Sequence, residues 1–317
     1  MPVQKHICIL SFSPVARDAR VLRQIKYLAP HYRLTVIGQG ERPNFTSAET
    51  VEWHAIETPT RSHLPHSSSL AGIVRYNIDK AVRLCREGRF WSVLAGRLLP
   101  ILLSLQLGKL FHFLYDQWYW SIPLHQLAYE RASSCECDLF LANDWNTLPL
   151  AVECAKKRQA HVVLDLHEYA PLEFEDIPAW RRLYTPAIIY FLKKYAPAIA
   201  ASITIAAPIA DRYRREFPLD PIVVHNVPEY SVFSSRLVDP EQVQLIHHGG
   251  AMRSRHLENM LQTLALCHPR FRLHLMLVGD QQGYVQELRT LAESLAPGRV
   301  FFHNPVPTTE IVRTIAE

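Results

Sequence analysis

The sequence lacks the short motifs that announce the commonest nucleotide chemistries. No G-x-G-x-x-G and no G-x-x-x-x-G-K-[ST] occurs, so neither a dinucleotide-binding turn nor a P-loop is specified, and Rossmann-type hydride transfer is not expected. There is no Asp-x-Asp pair, the spacing by which many phosphate-handling enzymes hold a divalent ion, so no metal and no other cofactor is expected. The six cysteines (Cys8, Cys85, Cys135, Cys137, Cys154 and Cys267) include one C-x-C and no C-x-x-C, which specifies neither a zinc site nor a disulfide framework. Reduced thiols are the expectation. No charged-then-apolar leader precedes the strand-like run at His6, which predicts residence in the cytoplasm. A net charge of +4 carries no nucleic-acid signal. The most apolar stretch, WSVLAGRLLPILLSLQLGKLFHFLYDQWYW, is interrupted by Arg97, Pro100 and Lys109 and falls short of a spanning helix.

What is present is an alternation. Short β-branched runs recur at HICILS, RLTVIG, VEWHAI, DLFLA, HVVLDL, SITIA and PIVVH, most followed by a helix-like stretch. That pattern predicts an α/β fold with a parallel sheet covered on both faces. At 317 residues and 48% hydrophobic content, about two domains are expected. The first is assigned to 1–228, a complete Rossmann-like layer with a helical insertion at about 61–131. A linker of Pro/Ser composition follows from Asn226. The second, 229–317, restarts the alternation with QLIHHGG, LHLMLVGD and RVFFHNP and holds about three strands, which reads as part of a domain. Within the insertion, eight Lys or Arg face three Asp or Glu between Arg61 and Trp120, a local excess of five beside Trp91, Trp118 and Trp120. An amphipathic helix at an anionic membrane surface suits that composition, and a helical hairpin packed on the sheet is the alternative.

Chemistry in such a sheet gathers after the strands, at their carboxyl edge. The loop after the first strand places Arg17, Asp18, Arg20 and Arg23 around a helix start, a cationic mouth for anionic or hydroxylated ligands, with Asp18 as helix cap the competing role. DLFLA leads into Asn143, Asp144, Trp145 and Asn146. HVVLDL leads into His167 and Glu168, and His167 is the leading candidate to handle a proton or bind a hydroxyl near neutral pH. In the second domain Gly249 and Gly250 permit close backbone approach, and Arg253 and Arg255 precede a helix expected to begin near His256, an arrangement suited to a diphosphate.

Seven segments in this order resemble the family-4 type of retaining glycosyltransferase with the GT-B architecture. They are Asp18 to Arg23, Asn143 to Ala151, Val163 to Pro171, Ile203 to Tyr213, His225 to Tyr230, His247 to Arg255 and Leu275 to Asp280. The resemblance implies an acceptor on the first domain, a nucleotide-diphosphate sugar on the second, and transfer without a metal ion. On that footing His167, with Glu168 beside it, stands for the catalytic rim contact to the donor sugar. Gly249, Gly250, Arg253 and Arg255 stand for the diphosphate site, and Arg17, Asp18, Arg20, Asp144 and Trp145 for the acceptor side. Arg255 would stabilise charge on the departing diphosphate. The glutamate pair that the family carries further along the second domain is not found before Glu317, so weak or absent transfer is expected of this form.

The expectation is a transferase moving a hexose to a glycan or lipid-linked acceptor in cell-surface polysaccharide synthesis, in the cytoplasm or on the inner membrane face, with no nucleic-acid partner. A nucleotide-sugar epimerase and a non-catalytic membrane-associated acceptor-binding subunit are the alternatives.

Overall fold

The computed structural model describes residues 4–43, 51–57, 111–175, 177–227, 230, 232, 237–280, 283–307 and 310–316. The chain divides into two compact units, Met1–Asn226 and Val227–Glu317.

In the first unit the strands are β1 (His6–Pro14), β2 (Arg33–Gln39), β3 (Val51–Ala55), β4 (Leu139–Asn143), β5 (His161–Leu166), β6 (Ala201–Thr204) and β7 (Pro221–Val223). All seven apolar runs of the sequence are strands. They form one sheet in the order β3-β2-β1-β4-β5-β6-β7, and every neighbouring pair is parallel. Alternation along β1 explains the apolar composition. Ile7 and Ile9 pack with Val21 and Ile25, while Cys8 and Leu10 turn to the other face with Phe140, Leu164 and Phe191. A strand buried on both faces has no side left for polar residues.

The helices of this unit are α1 (Ala19–Leu28), α2 (Phe113–Ser121), α3 (Pro123–Ser134), α4 (Leu148–Arg158), α5 (Pro178–Tyr195) and α6 (Ala207–Glu216). Pro123 opens α3 at a position where no amide donor is needed. Three basic residues, Lys156, Lys157 and Arg158, end α4 against its negative pole, and Gln159 closes it in the left-handed region.

The insertion is partly described. Its eight basic residues and Trp91 lie outside the described residues. Helices α2 and α3 form a hairpin, and Leu114, Tyr115, Trp118 and Tyr119 enter the main core. Trp118 is 5% exposed and meets Tyr184 edge-on at 5.4 Å. The expected surface role of Trp118 is therefore overturned, because an indole in that contact has no face left for lipid. Trp120 is half-buried. Among the described residues no helix is long and apolar enough to cross a membrane.

The second unit holds β8 (Val243–Gly250), α7 (Glu258–Leu266), β9 (Phe271–Val278), α8 (Tyr284–Leu295), β10 (Val300–His303) and α9 (Ile311–Ala316). Its sheet is parallel in the order β10-β9-β8. Leu273, Leu275 and Leu277 of β9 are buried with Leu261 and Leu264 of α7 and with Leu288 and Ala292 of α8. Helix α7 starts at Glu258, two residues after the start expected near His256. A short 3-10 turn, Arg253–Arg255, and a left-handed His256 (φ 48°) come first and use up the intervening chain.

Candidate functional site

The strand order of the first sheet reverses between β1 and β4, so the loops leaving these strands part and open a crevice at the carboxyl edge. After β1 the chain makes a 3-10 turn, Val15–Arg17, and reaches Asp18. Asp18 Oδ1 accepts from the amides of Arg20 (3.0 Å) and Val21 (3.2 Å), and Ser13 donates to Oδ2 at 2.6 Å. Oδ1 thus caps α1 while Oδ2 is taken by Ser13, and the acceptor-side role expected of Asp18 gives way to the structural one. What Asp18 achieves is to fix the arginines around it. Arg17 is exposed and makes no ion pair among the described residues. Arg20 donates through Nη2 to Glu168 at 3.2 Å, and its Nη1 is buried without a hydrogen-bond partner. Arg23 donates to Asn226. Ser13, Pro14, Arg17, Asp18, Arg20 and Asn226 line an open cavity of about 370 Å³.

Behind this rim lies a buried polar network. Asn143 ends β4, and Asp144 follows in the left-handed region at φ 64°, a costly conformation for a residue with a side chain. That turn folds the Asp144 carboxylate back towards His167, whose Nδ1 lies 3.2 Å from Oδ2. Its Nε2 lies 3.2 Å from Asn143 Oδ1 and 3.8 Å from Asp165 Oδ2. Gln24 of α1 closes the set, donating to Asn143 Oδ1 (2.9 Å) and Asp165 Oδ2 (2.7 Å) and accepting from Asn143 Nδ2 (3.0 Å).

His167 is 4% exposed and both its ring nitrogens face protein acceptors. The expected rim contact is therefore corrected. The imidazole is an internal brace between the loops after β4 and β5, not a group presented to a ligand. Burial alone would push its pKa down, but the hydrogen bond and charge of Asp144, with Asp165 behind, outweigh burial and move it up. Burial raises Asp165 as well. The ring flanked by these two acceptors is best satisfied as an imidazolium, donating from both nitrogens.

Glu168 stays at the rim, paired with Arg20. Close by is Glu173, a carboxylate the motif reading passed over. Burial of its carboxyl group, with the charges of Asp144 and Glu168, pushes it up to about 7, although the residue as a whole is exposed. Trp145 is 5% exposed and stacks on Phe191 at 6.3 Å, so its acceptor-side role is overturned too. An indole pointing into the core anchors the loop, in which Asp144 and Asn146 stay half-buried. Gln24 and Asp165 were also missed. Asp165 did leave a signal, a charge inside the apolar run HVVLDL.

In the second unit, β8 ends at Gly249 and Gly250. Gly249 adopts φ +149°, and a β-carbon there would stand 2.7 Å from Arg255 Nη1. Gly250 has no such requirement, since a β-carbon would meet only Met252 at 3.4 Å. Its close-approach role is not supported by this geometry. The guanidinium of Arg255 thus lies over the end of β8, exposed and without an ion pair among the described residues. Arg253 differs. Its Nη1 and Nη2 both donate to Glu287, at 2.8 and 2.5 Å, and it lies over the ring of Tyr284. That commitment removes Arg253 from the expected anion site. His247, which the motif analysis did not single out, has a buried Nε2 with no hydrogen-bond partner, close to Gly249. Burial lowers its pKa, helped by the positive charge of Arg255. A neutral imidazole with an unused nitrogen therefore adjoins the guanidinium. Among the described residues no three His, Cys, Asp or Glu side chains converge in a metal-ligating group.

No protein-family model and no curated protein matches the sequence. Solved structures do match by fold. Sucrose-phosphate synthase from Thermosynechococcus elongatus aligns with 99% of this chain and 73% of its own, with a TM-score of 0.63 at 10% identity. The lipopolysaccharide outer core galactosyltransferase WaaB in its apo form aligns with 98% of this chain and 72% of its own, at a TM-score of 0.53 and 10% identity. HepE of Anabaena, in complex with UDP and glucose, aligns with 96% and 70%, at 0.53 and 13%. With parallel sheets ordered β3-β2-β1-β4-β5-β6-β7 and β10-β9-β8 in successive units, the chain has the α/β fold of the GT-B glycosyltransferases.

Proposed function

We propose that this polypeptide is a glycosyltransferase that draws its sugar from a nucleoside-diphosphate donor. The observation that carries the reading is the juxtaposition of Arg255 and Gly249 at the end of β8, with the unused nitrogen of His247 beside them. A cation held over a strand end stripped of its side chain suits a diphosphate, and the same cation suits the charge that grows on the diphosphate as the sugar departs. HepE, similar in fold, binds UDP-glucose, which supports a uridine-type donor as the first probe.

The acceptor side of the proposal rests on Arg17 and Arg20, which line the crevice of the first unit. His167 acts as a positioning residue, holding Asp144 and the two loops in register. Retention of the anomeric configuration, independence of metal, a glycan or lipid-linked acceptor, and work at the inner membrane face complete the proposal.

Calorimetric titration with a panel of UDP-, GDP- and ADP-sugars tests it. One donor class is expected to bind, and Arg255→Gln is expected to weaken it about tenfold or more, a loss of roughly 1.4 kcal/mol or above. Product analysis with donor alone separates transfer from epimerisation, since an epimerase needs no acceptor. Failure of every donor to bind the folded protein would refute the proposal.

A further inference from the structure

Helix α5 carries a surface that the proposed donor and acceptor sites do not use. Ile188, Phe191, Leu192 and Tyr195 turn into the main core. On a neighbouring stripe, at intervals of one turn, stand Ile177 at the cap, then Arg181, Thr185, Ile189 and Lys193. The start of α2 packs beside it, with the rings of His112 and Tyr115 centred 5.4 and 5.2 Å from that of Tyr190. Between the two helices opens a cavity of about 610 Å³, whose apolar lining includes Tyr115, Pro186, Ile189 and Tyr190.

Its charge is of one sign. Arg181, Lys193 and Lys194 line the cavity, and among the described residues no acidic side chain does. Lys194 donates to Asp116 at 2.7 Å, and Asp116 also accepts from the Tyr190 hydroxyl at 2.6 Å. Arg181 and Lys193 are exposed and make no ion pair among the described residues. They stand about 18 Å apart along the helix axis, too far to share one phosphate and suited to separate anionic groups. Phe111 and Phe113, which flank His112, are about half exposed, as is Ile177 one turn before Arg181. Large apolar side chains and unpaired cations thus occupy the same face.

We propose that this face of α2 and α5 docks on an anionic bilayer surface. Cations spread along a helix each meet a headgroup phosphate there, while exposed phenyl rings and the apolar lining of the cavity lie against the upper acyl region. Tyr190, an apolar ring with a polar tip, suits that boundary. An acidic peptide would answer the charges alone and leave Phe111 and Phe113 in water. Thr185 donates to the Pro171 carbonyl at 2.7 Å, which ties α5 to the loop after β5. A bilayer bound here therefore lies beside the loop that carries Glu168, the partner of Arg20. The inference deepens the membrane-face part of the proposed function and rests on it, yet its test needs no donor, so donor binding and docking can fail separately.

The test sediments the whole 317-residue protein with phosphatidylcholine vesicles, with and without about 30% phosphatidylglycerol. Binding to the anionic vesicles is expected to exceed binding to the neutral ones about tenfold or more, and to fall as salt is raised to about 0.5 M. Arg181→Gln combined with Lys193→Gln should weaken it about thirtyfold. Arg272→Gln combined with Arg289→Gln removes the same charge from the second unit and should weaken it less than about threefold. Phe113→Ser changes an exposed ring and no charge, and should weaken it about fivefold. The proposal is overturned if no vesicle binds, if neutral vesicles bind equally well, or if the pair in the second unit costs as much as Arg181 and Lys193. Capture of the protein by polyglutamate through Arg181 and Lys193, without vesicle binding, would assign the face to an acidic peptide and overturn it too.

Discussion

Arg255 occupies the space that a side chain at position 249 would need, with Nη1 2.7 Å from the place of the missing β-carbon. The sequence separates the two residues by a 3-10 turn, and the turn brings the guanidinium back over the strand end. Gly249→Ala would meet the flexible end of an arginine, which can swing aside, but the backbone at φ +149° has no such freedom. A destabilisation of about 1–3 kcal/mol is expected from that strain, read by urea denaturation. Donor affinity should fall in the same variant because Arg255 is displaced.

Arg253 and Arg255 should separate in binding experiments. Arg255→Gln is expected to lower nucleoside-diphosphate affinity about tenfold, since a charge-assisted contact is lost. Arg253→Gln, whose cation serves Glu287, should leave affinity within about twofold. Calorimetry on both variants measures this, and equal losses would contradict the assignment.

The buried network carries a pH dependence of definite sign. His167 has its folded pKa raised above 6.5, so its contribution to stability is full below that value and is lost as pH rises through the folded pKa. Denaturation midpoints should therefore fall from about pH 6.5 upward, and His167→Gln should flatten that limb. The same substitution should cost about 1–3 kcal/mol at pH 6 by leaving buried acceptors unpaired.

Glu173 acts in the same direction over an earlier window. Raised from 4.5 to about 7, it favours the folded state below pH 4.5 and loses that contribution as pH climbs to about 7. Glu173→Gln should remove this slope and leave the protein more stable than wild type at pH 8. A variant less stable than wild type at that pH would show that the ionised carboxylate has a favourable partner.

Trp118 and Trp145 belong to the core. Truncation of either to alanine should destabilise the first unit by about 3–5 kcal/mol in thermal or urea unfolding. Vesicle pelleting of folded protein should be unchanged by Trp118→Phe, which keeps a buried ring.

Much of the fold was legible in the order of residues, because a parallel strand covered on both faces must be apolar and its run ends where the sheet ends. All seven runs of the first unit and the three of the second became strands for that reason. The site was legible only as loops. The sequence placed Asp144, His167, Arg253 and Arg255 after strands, yet position along the chain does not decide where a side chain turns. That depended on the left-handed backbone at Asp144, which swung its carboxylate onto His167, and on Glu287, brought near by α8, which claimed Arg253 and left Arg255. Hydrophobic periodicity is a local property of the chain and survives in one dimension. Pairing of charges and burial of a ring are settled by residues distant in sequence, and only the tertiary structure brings those together.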